Sequence, residues 1–578
     1  MRHKIIYVLA LLFFCQCNVL TNTSNDQTTT NDQKRPNIIW LVAEDLSPRW
    51  AAYGDSLAHT PHMNTLSEQG VVFDNVFSAA GVCAPSRSSL ITGMYPSSIG
   101  TQHMRQSKSV IPMPGVPNYN AVPPAEVKAF PELLRAAGYW TSSYRKLDYQ
   151  FGNPFTIWDE VSDYPSWRNR SKEDQDRPFF MYYSFEITHE INIWPDSTKE
   201  KFFKDFNIDV TALAPDVQKR PPFDPAYTVN PKDVDVPPFL PDNEVSRSHI
   251  ARLYDNISRM DVQIGKILQE LKEDGLMDNT IIFLTSDHGD CLPRAKRWIY
   301  DSGIKCPLVI YFPEKLKPTR YQQVQRDTAL YSFLDFVPTV LELANVEIPK
   351  YMQGKSMIST LKEQPRDYIY AARDRMDNRY DTRRAVRDHR YKYIRNFQPE
   401  VPYSQPIKFL NQMPLMQNIF ALEKEGKLNK AQSYWLYHPK NTAEELYDLQ
   451  NDPFELNNLA ADTTQYESVL KRMRGALKEW QQEVNDLYLE EEVVQAERMW
   501  PGGKQPVTDS PVYAIQDQKI HLTCSTEGAT IAYQYPDHNR WHIYTTPLPL
   551  EELKNGVKIK SIRYGYQPSE EVQVQLNF

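Results

Sequence analysis

Four apolar runs in this chain share one form: a continuous β-rich stretch that stops abruptly at polar or charged groups. Asn37-Ile-Ile-Trp-Leu-Val-Ala43 leads into Glu44-Asp45, and Asn279-Thr-Ile-Ile-Phe-Leu-Thr-Ser286 leads into Asp287-His288-Gly289-Asp290. Pro178-Phe-Phe-Met-Tyr-Tyr-Ser-Phe185 is followed by Thr188-His189-Glu190, and Gly138-Tyr-Trp-Thr-Ser-Ser-Tyr144 by Lys146 and Asp148. Runs that do not alternate suit strands buried on both faces, as in a parallel sheet covered by helices. Ligand groups of open α/β sheets gather beyond the carboxyl ends of such strands. One edge of the sheet should therefore collect carboxylates, histidines and lysines.

Helices are expected between the strands. Thr60-Pro61 opens one that ends near Gly70, Phe130 to Ala137 forms another, and a long one spans roughly 243–274. In the long helix Ile250, Leu253, Ile257, Met260, Ile264, Leu268 and Leu271 recur at helical spacing. This alternation implies a doubly wound α/β domain. Residues 215–241 are Pro-rich and read as an extended surface excursion near the cleft rim. Further on, Arg387 to Ile394 reads as one short strand and Leu470 to Val484 as an amphipathic helix. After the break at Pro501-Gly-Gly503, the runs Lys519–Cys524, Thr530–Tyr535 and Val557–Tyr564 read as a small β-sandwich.

The 578 residues suffice for more than one domain, and the net charge of −8 excludes a general nucleic-acid binder. Arg2 and Lys4 precede an apolar run from Ile5 to Phe14, so residues 1–17 read as an export signal, too short to span a bilayer. Cys15 or Cys17 at its end is a candidate lipidation site, the one expected link to a membrane. Residues 18–35 read as a disordered tether. The expected location is the periplasm or cell surface of a Gram-negative bacterium. Outside the leader, Cys83, Cys291, Cys306 and Cys524 form no disulfide framework.

The strand-end groups indicate chemistry. Glu44, Asp45 and Asp287 are hard oxygen donors suited to Ca²⁺ or Mg²⁺, and His288 can add a nitrogen. Carboxylates in such places also serve as helix caps, so each alone is ambiguous. Arg87, Lys146 and Lys296 can spread over the oxygens of a tetrahedral anion, and His189 can act as general acid or hydrogen-bond donor.

Residues 83–93 read Cys-Ala-Pro-Ser-Arg-Ser-Ser-Leu-Ile-Thr-Gly. Cys83 is placed where a loop enters a helix, with Arg87 one turn on. The string resembles the signature Cys-x-Pro-Ser-Arg-x-x-x-(Leu/Ile)-Thr-Gly of the formylglycine-dependent sulfatases. The resemblance extends over about residues 36–500 and includes Tyr447-Asp-Leu-Gln-Asn-Asp-Pro-Phe-Glu-Leu-Asn-Asn-Leu-Ala460. It implies an alkaline-phosphatase-like doubly wound mixed sheet (36–385) and a smaller C-terminal α+β subdomain (386–500), while the β-sandwich at 506–578 resembles the small modules appended to many bacterial carbohydrate enzymes. It implies a secreted sulfuric ester hydrolase with one Ca²⁺ on Glu44, Asp45, Asp287 and His288. Position 83, oxidised to formylglycine, would be both nucleophile and ion contact. A formylglycine-generating or anaerobic sulfatase-maturating enzyme is the implied partner. The catalytic set would be Cys83, Arg87, Lys146, His189 and Lys296. Asp148 stands where the family often has His.

Ile99-Gly-Thr-Gln-His-Met-Arg105, Leu292-Pro-Arg-Ala-Lys-Arg297 and Ala372-Arg-Asp-Arg-Met-Asp377 resemble the branch of heparan N-sulfatases and bacterial polysaccharide sulfatases. That branch implies a sulfated oligo- or polysaccharide substrate, with His103, Arg105 and Arg375 as sugar contacts. N-sulfate hydrolysis, phosphate or phosphonate ester hydrolysis, and glycan binding without catalysis are the rival readings.

Overall fold

The computed structural model describes residues 35–106, 112–436, 439–536, 538–553 and 555–575. The segments read as signal and tether, apart from Arg35, lie outside the described residues. The central sheet has eight strands: β1 (Asn37–Ala43), β2 (Val71–Phe77), β3 (Trp140–Tyr144), β4 (Glu160–Ser162), β5 (Phe179–Phe185), β6 (Thr280–Ser286), β7 (Lys305–Tyr311) and β8 (Arg326–Ser332). Their order is β4-β3-β5-β1-β6-β7-β2-β8. Only β7 runs against its neighbours, so the sheet is mixed.

The non-alternating strands are covered on both faces. Ile38, Trp40 and Val42 of β1 face one layer, where Trp40 packs 5.0 Å from Phe130 and 5.8 Å from Phe283 by ring centroids. Ile39 and Leu41 face the other, under Ile250, Ile257 and Ile264 of the helix Glu244–Glu273. Asn243 caps that helix by accepting from the Ser246 amide at 3.1 Å.

Register decides where the site forms. Ala43 at the end of β1 lies opposite Phe185 of β5 and Ser286 of β6. Three strands thus end at one level, and the residues just beyond them must share one space.

A second, antiparallel sheet has the order β12-β11-β10-β9, with β9 Ile369–Arg373, β10 Arg383–Arg387, β11 Tyr391–Asn396 and β12 Glu444–Asp448. The expected single strand over 387–394 is interrupted: Arg387 ends β10, Tyr391–Ile394 lie in β11, and residues 388–390 form the turn between them. The Asp388 carboxylate accepts from the amides of Arg390 and Tyr391 at 2.7 and 2.6 Å, an Asx turn that reverses the chain. The amphipathic helix runs from Thr463 to Glu483, starting earlier than its apolar stripe because Asp462 caps it through the Gln465 amide. Its Leu470, Met473, Leu477 and Trp480 cover Val386, Tyr393 and Leu446 of the sheet.

Beyond 506 a three-stranded and a four-stranded antiparallel sheet enclose Ile520, Leu522, Leu548, Val557, Ile559 and Val574. This module packs on the helix Phe130–Ala136. Glu132 of that helix accepts from Thr530 at 2.6 Å and Tyr564 at 2.9 Å, and Arg540 reaches Asp159 at 2.6 Å.

Candidate active site

Cys83 is the first residue of a buried helix, Cys83–Thr92, entered from extended Val82 and closed by Gly93 in the left-handed conformation. Close backbone packing brings this helix start to the loop after β6. The Arg297 amide donates to Gly81 O at 2.6 Å, and the Gly289 amide donates to Gly303 O at 2.9 Å. A Cβ at Gly81 or Gly289 would lie 2.1 and 2.3 Å from a carbonyl oxygen, so only glycine permits that approach.

Around the Cys83 sulfur the strand ends meet. Sγ lies 3.5 Å from His288 Nε2 and 3.9 Å from Asp45 Oδ1. His288 Nε2 is 3.0 Å from Asp45 Oδ1, and the Asp45 amide donates to Asp287 Oδ1 at 3.0 Å. Asp45 adopts φ +52°, a left-handed turn that Asp tolerates better than most residues and that aims its carboxylate back into the cluster. Lys146 Nζ binds Glu44 at 2.7 Å, and Lys296 Nζ binds Asp45 Oδ2 at 2.7 Å. His189 Nε2 sits 3.3 Å from Lys296 Nζ. Its Nδ1 accepts from the Ile191 amide, which leaves the proton of a neutral ring on Nε2.

The electrostatics are those of a crowded anionic cage. Burial, with Asp287 and Asp45 close by, pushes Glu44 up to about 7 in spite of Arg87 and Lys146. Burial opposes ionisation of Asp45 too, but Lys296 and the two histidines hold it well below the ordinary range. His288 is held well above the usual histidine range, because Asp287 and Asp45 outweigh its burial. His189 is driven well below that range by burial and the adjacent lysines, so it presents an N–H rather than a charge.

The donor set fits a hard divalent ion. Ligand atoms of Asp45, Cys83, Asp287 and His288 all lie within 4.8 Å of one another, and so do those of Glu44, Asp45, Cys83 and His189. His288 Nδ1 pairs with the Gly289 carbonyl at 3.0 Å, which turns Nε2 toward the carboxylates as a metal-ligating imidazole requires. Three carboxylates and one imidazole favour Ca²⁺ or Mg²⁺ over a soft ion.

Three expected roles change. Arg87 does not face open space. Its guanidinium is buried and engaged by Glu44, Asp287 at 3.2 Å, Tyr182 at 3.2 Å and Ser184 at 3.0 Å. It braces the carboxylates. Arg375 is not placed as a sugar contact. It is fully buried and holds both oxygens of Glu492, at 2.6 and 2.8 Å. His103 is buried against the Arg375 amide and Tyr380, with its Nε2 enclosed. Arg105 alone of the three is partly exposed, paired with Asp148, the residue that departs from the family pattern. We expect Arg375→Met to lower stability by about 3–5 kcal/mol in a denaturant melt, the cost of orphaning Glu492. KM of the folded enzyme should be unchanged; a raised KM with an unchanged melt would restore the sugar-contact role.

Glu190 is a site residue that pattern reading left without a role. Its amide donates to Asp45 Oδ2 at 2.8 Å, and its carboxylate meets Lys296 at 3.0 Å and both terminal nitrogens of Arg297. Its position beside His189 was the available signal. Tyr182 and Ser184 were readable as same-face neighbours two apart on β5.

A mixed α/β sheet whose carboxyl edge carries a buried thiol, a metal-suited acidic cage and two lysines defines a hydrolase of tetrahedral anionic esters. Residues 36–346 match the Sulfatase family model, and 293–430 match that of the N-sulphoglucosamine sulphohydrolase C-terminal region. The chain belongs to the sulfatase family and is a sulfuric ester hydrolase. It is 40% identical over 556 residues to an ulvan-active sulfatase of Formosa agariphila, covering 94% of this chain and 91% of that protein. It is 27% identical over 481 residues to human N-sulphoglucosamine sulphohydrolase, covering 78% and 90%. Among solved structures it resembles BT4656 in complex with its substrate D-glucosamine-2-N,6-O-disulfate, with TM-score 0.53 and 18% identity over 79% of this chain and all of that one. A second is BT1596, a 2-O GAG sulfatase, with TM-score 0.52 and 20% identity over 78% and 93%.

Proposed function

We propose that this chain is an exported, calcium-dependent sulfatase that removes sulfate esters from saccharides of a sulfated polysaccharide. Its nucleophile is formylglycine made from Cys83. The observation that carries this reading is the buried Cys83 sulfur at a helix start, 3.9 Å from Asp45 and 3.5 Å from His288. The names of the relatives support a saccharide substrate, ulvan in one case and N-sulfoglucosamine in the other.

When present, hydrated formylglycine supplies a diol oxygen as nucleophile, and Ca²⁺ on Glu44, Asp45, Asp287 and His288 supplies positive charge toward the sulfate oxygens. The chain's own residues do the rest. Arg87 fixes Glu44 and Asp287 in place. Lys146 and Lys296 present ammonium groups, both kept charged by adjacent carboxylates that outweigh their burial. The proton for the leaving oxygen comes from Lys296, and neutral His189 beside it, with its proton on Nε2, adds a hydrogen bond to that oxygen. Arg105 is the candidate contact to the sugar. His189→Ala is expected to lower kcat by about 10²–10³-fold, the usual cost of removing one hydrogen-bond donor to a developing oxyanion. Steady-state kinetics within threefold of the parent would remove it from the catalytic set.

Cys83 is 3% exposed in the folded chain, so the maturating enzyme must reach it before the helix docks. The Arg2/Lys4 leader supports export to the periplasm or cell surface. Sulfate release from ulvan-type and heparin-type oligosaccharides, run beside phosphate release from an aryl phosphate, tests the reading. Sulfate release with negligible phosphate release is expected; comparable phosphate release overturns it. The C-terminal match at 293–430 favours one second reading, hydrolysis of an N-sulfate, which the heparin-type arm detects.

A further inference from the structure

Behind the loop that carries Lys296 lies a buried cluster of cations with too few acceptors. Arg373 ends β9 and Arg383 begins β10, and the two stand directly opposite each other across the antiparallel pair. Like charges in that position repel. Both side chains are essentially inaccessible, as is that of Lys440. One carboxylate, Asp381, serves all three: it meets Arg373 at 3.2 Å, Lys440 at 2.9 Å, and Arg383.

The other carboxylate acting on Arg383 is Glu445, and it is already engaged by Tyr300 at 2.9 Å, Tyr447 at 2.6 Å and Asn396 at 2.7 Å. Arg297, the next cation, is bound to Glu190 by both terminal nitrogens. Among the described residues, three cations therefore face two carboxylates. Nε and Nη2 of Arg373, and Nε and Nη1 of Arg383, are buried with no hydrogen-bond partner, and Arg373 Nη1 has only its 3.2 Å ion pair with Asp381. Buried guanidinium groups are ordinarily saturated, and an uncompensated buried charge is strongly unfavourable.

We infer that Arg373, Arg383 and Lys440 hold a small monovalent inorganic anion of halide type. Each feature bears on that choice. A water would accept the free N–H groups but leave the charge uncompensated. A dianion such as sulfate would overcompensate a single excess charge. Aromatic faces stabilise the cations without neutralising them: Trp298 lies 5.2 Å from the Arg373 guanidinium, and Tyr403 lies 5.1 Å from that of Arg383 and 5.8 Å from Lys440 Nζ. Burial, with Arg383 close by, pushes Lys440 down to about 8. Loss of its proton would restore charge balance, yet it would leave every free N–H of Arg373 still unmatched. Trp298 is two residues beyond Lys296, so an ion here steadies the loop that delivers that lysine to the sulfate site.

Crystals of the full chain grown in sodium bromide test the site by anomalous diffraction. A bromide peak in hydrogen-bond contact with Arg373 and Arg383 is expected. Melting should also occur at higher temperature in sodium chloride than in sodium gluconate of equal ionic strength. Arg383→Met removes the excess charge, and both the peak and the halide effect on melting should vanish with it. Should this variant fail to fold, the bromide map of the parent protein still decides. Water alone at that position, an adventitious ion only (a peak with no halide effect on melting), or a halide effect that survives in Arg383→Met would each overturn the inference.

Discussion

Cys83→Ala, produced in a host that matures sulfatases, is expected to lose roughly 10⁴-fold or more of its sulfate-ester turnover while keeping its melting temperature close to that of the parent. The size follows from removal of the attacking atom itself, which leaves only binding and charge stabilisation to act on the ester. The small structural effect follows from geometry. The Cys83 sulfur makes only long contacts, 3.5 and 3.9 Å, while the helix behind it is held by Ser86 on the Asp287 carbonyl and by Arg87 on Glu44 and Asp287. Cys83→Ser is a sharper control, because it keeps an oxygen at the helix start but not the aldehyde. The peptide spanning residue 83 should carry the mass of an aldehyde in active protein and that of a thiol in material from a host without the maturating enzyme. Turnover near that of the parent in Cys83→Ala would reject the nucleophile, and a thiol mass in fully active enzyme would reject the modification.

The site was legible in the chain wherever chemistry sits next to a strong periodic signal. Glu44-Asp45 and Asp287-His288 follow runs buried on both faces, and parallel pairing at matched register brings such ends to one level whatever the intervening loops do. Lys146 and His189 were placed by the same logic. Arg375 failed because its partner is Glu492, 117 positions away on the helix Glu492–Met499, and no local pattern announces a buried ion pair of that separation. Arg87, one turn beyond the nucleophile, reads as an anion ligand, a meaning such an arginine has when it is exposed. Here Tyr182 and Ser184 saturate it from β5. The turn at Asp388 was hidden by the aromatic alternation around it, since a single side-chain acceptor can overrule β propensity over three residues. The paired arginines of β9 and β10 could be counted in the sequence, but their opposition exists only once the strands have paired.

Exhaustive removal of divalent ions should lower turnover by roughly 10³-fold or more, since a bound cation contributes several kcal/mol of charge stabilisation to such a reaction. The chain should nevertheless stay folded. Without an ion, the three carboxylates already have cationic partners of their own: Arg87 and Lys146 on Glu44, Arg87 on Asp287, and Lys296 and His288 on Asp45. A divalent ion held by these carboxylates would compete with Lys146 and Lys296 for the same lone pairs, which would free ammonium charge for the substrate sulfate. Metal and lysines would then act as one unit. Asp45→Asn should cost nearly as much as chelation, and chelating the Asp45→Asn protein should cost little further, a non-additivity expected of groups that share one function. Far-UV circular dichroism of the chelated protein should match that of the parent, and Ca²⁺ should restore turnover. Full turnover in protein shown by elemental analysis to be free of divalent ions would mean that the lysines carry the sulfate charge alone, and the acidic cage would then be a purely structural device for holding them.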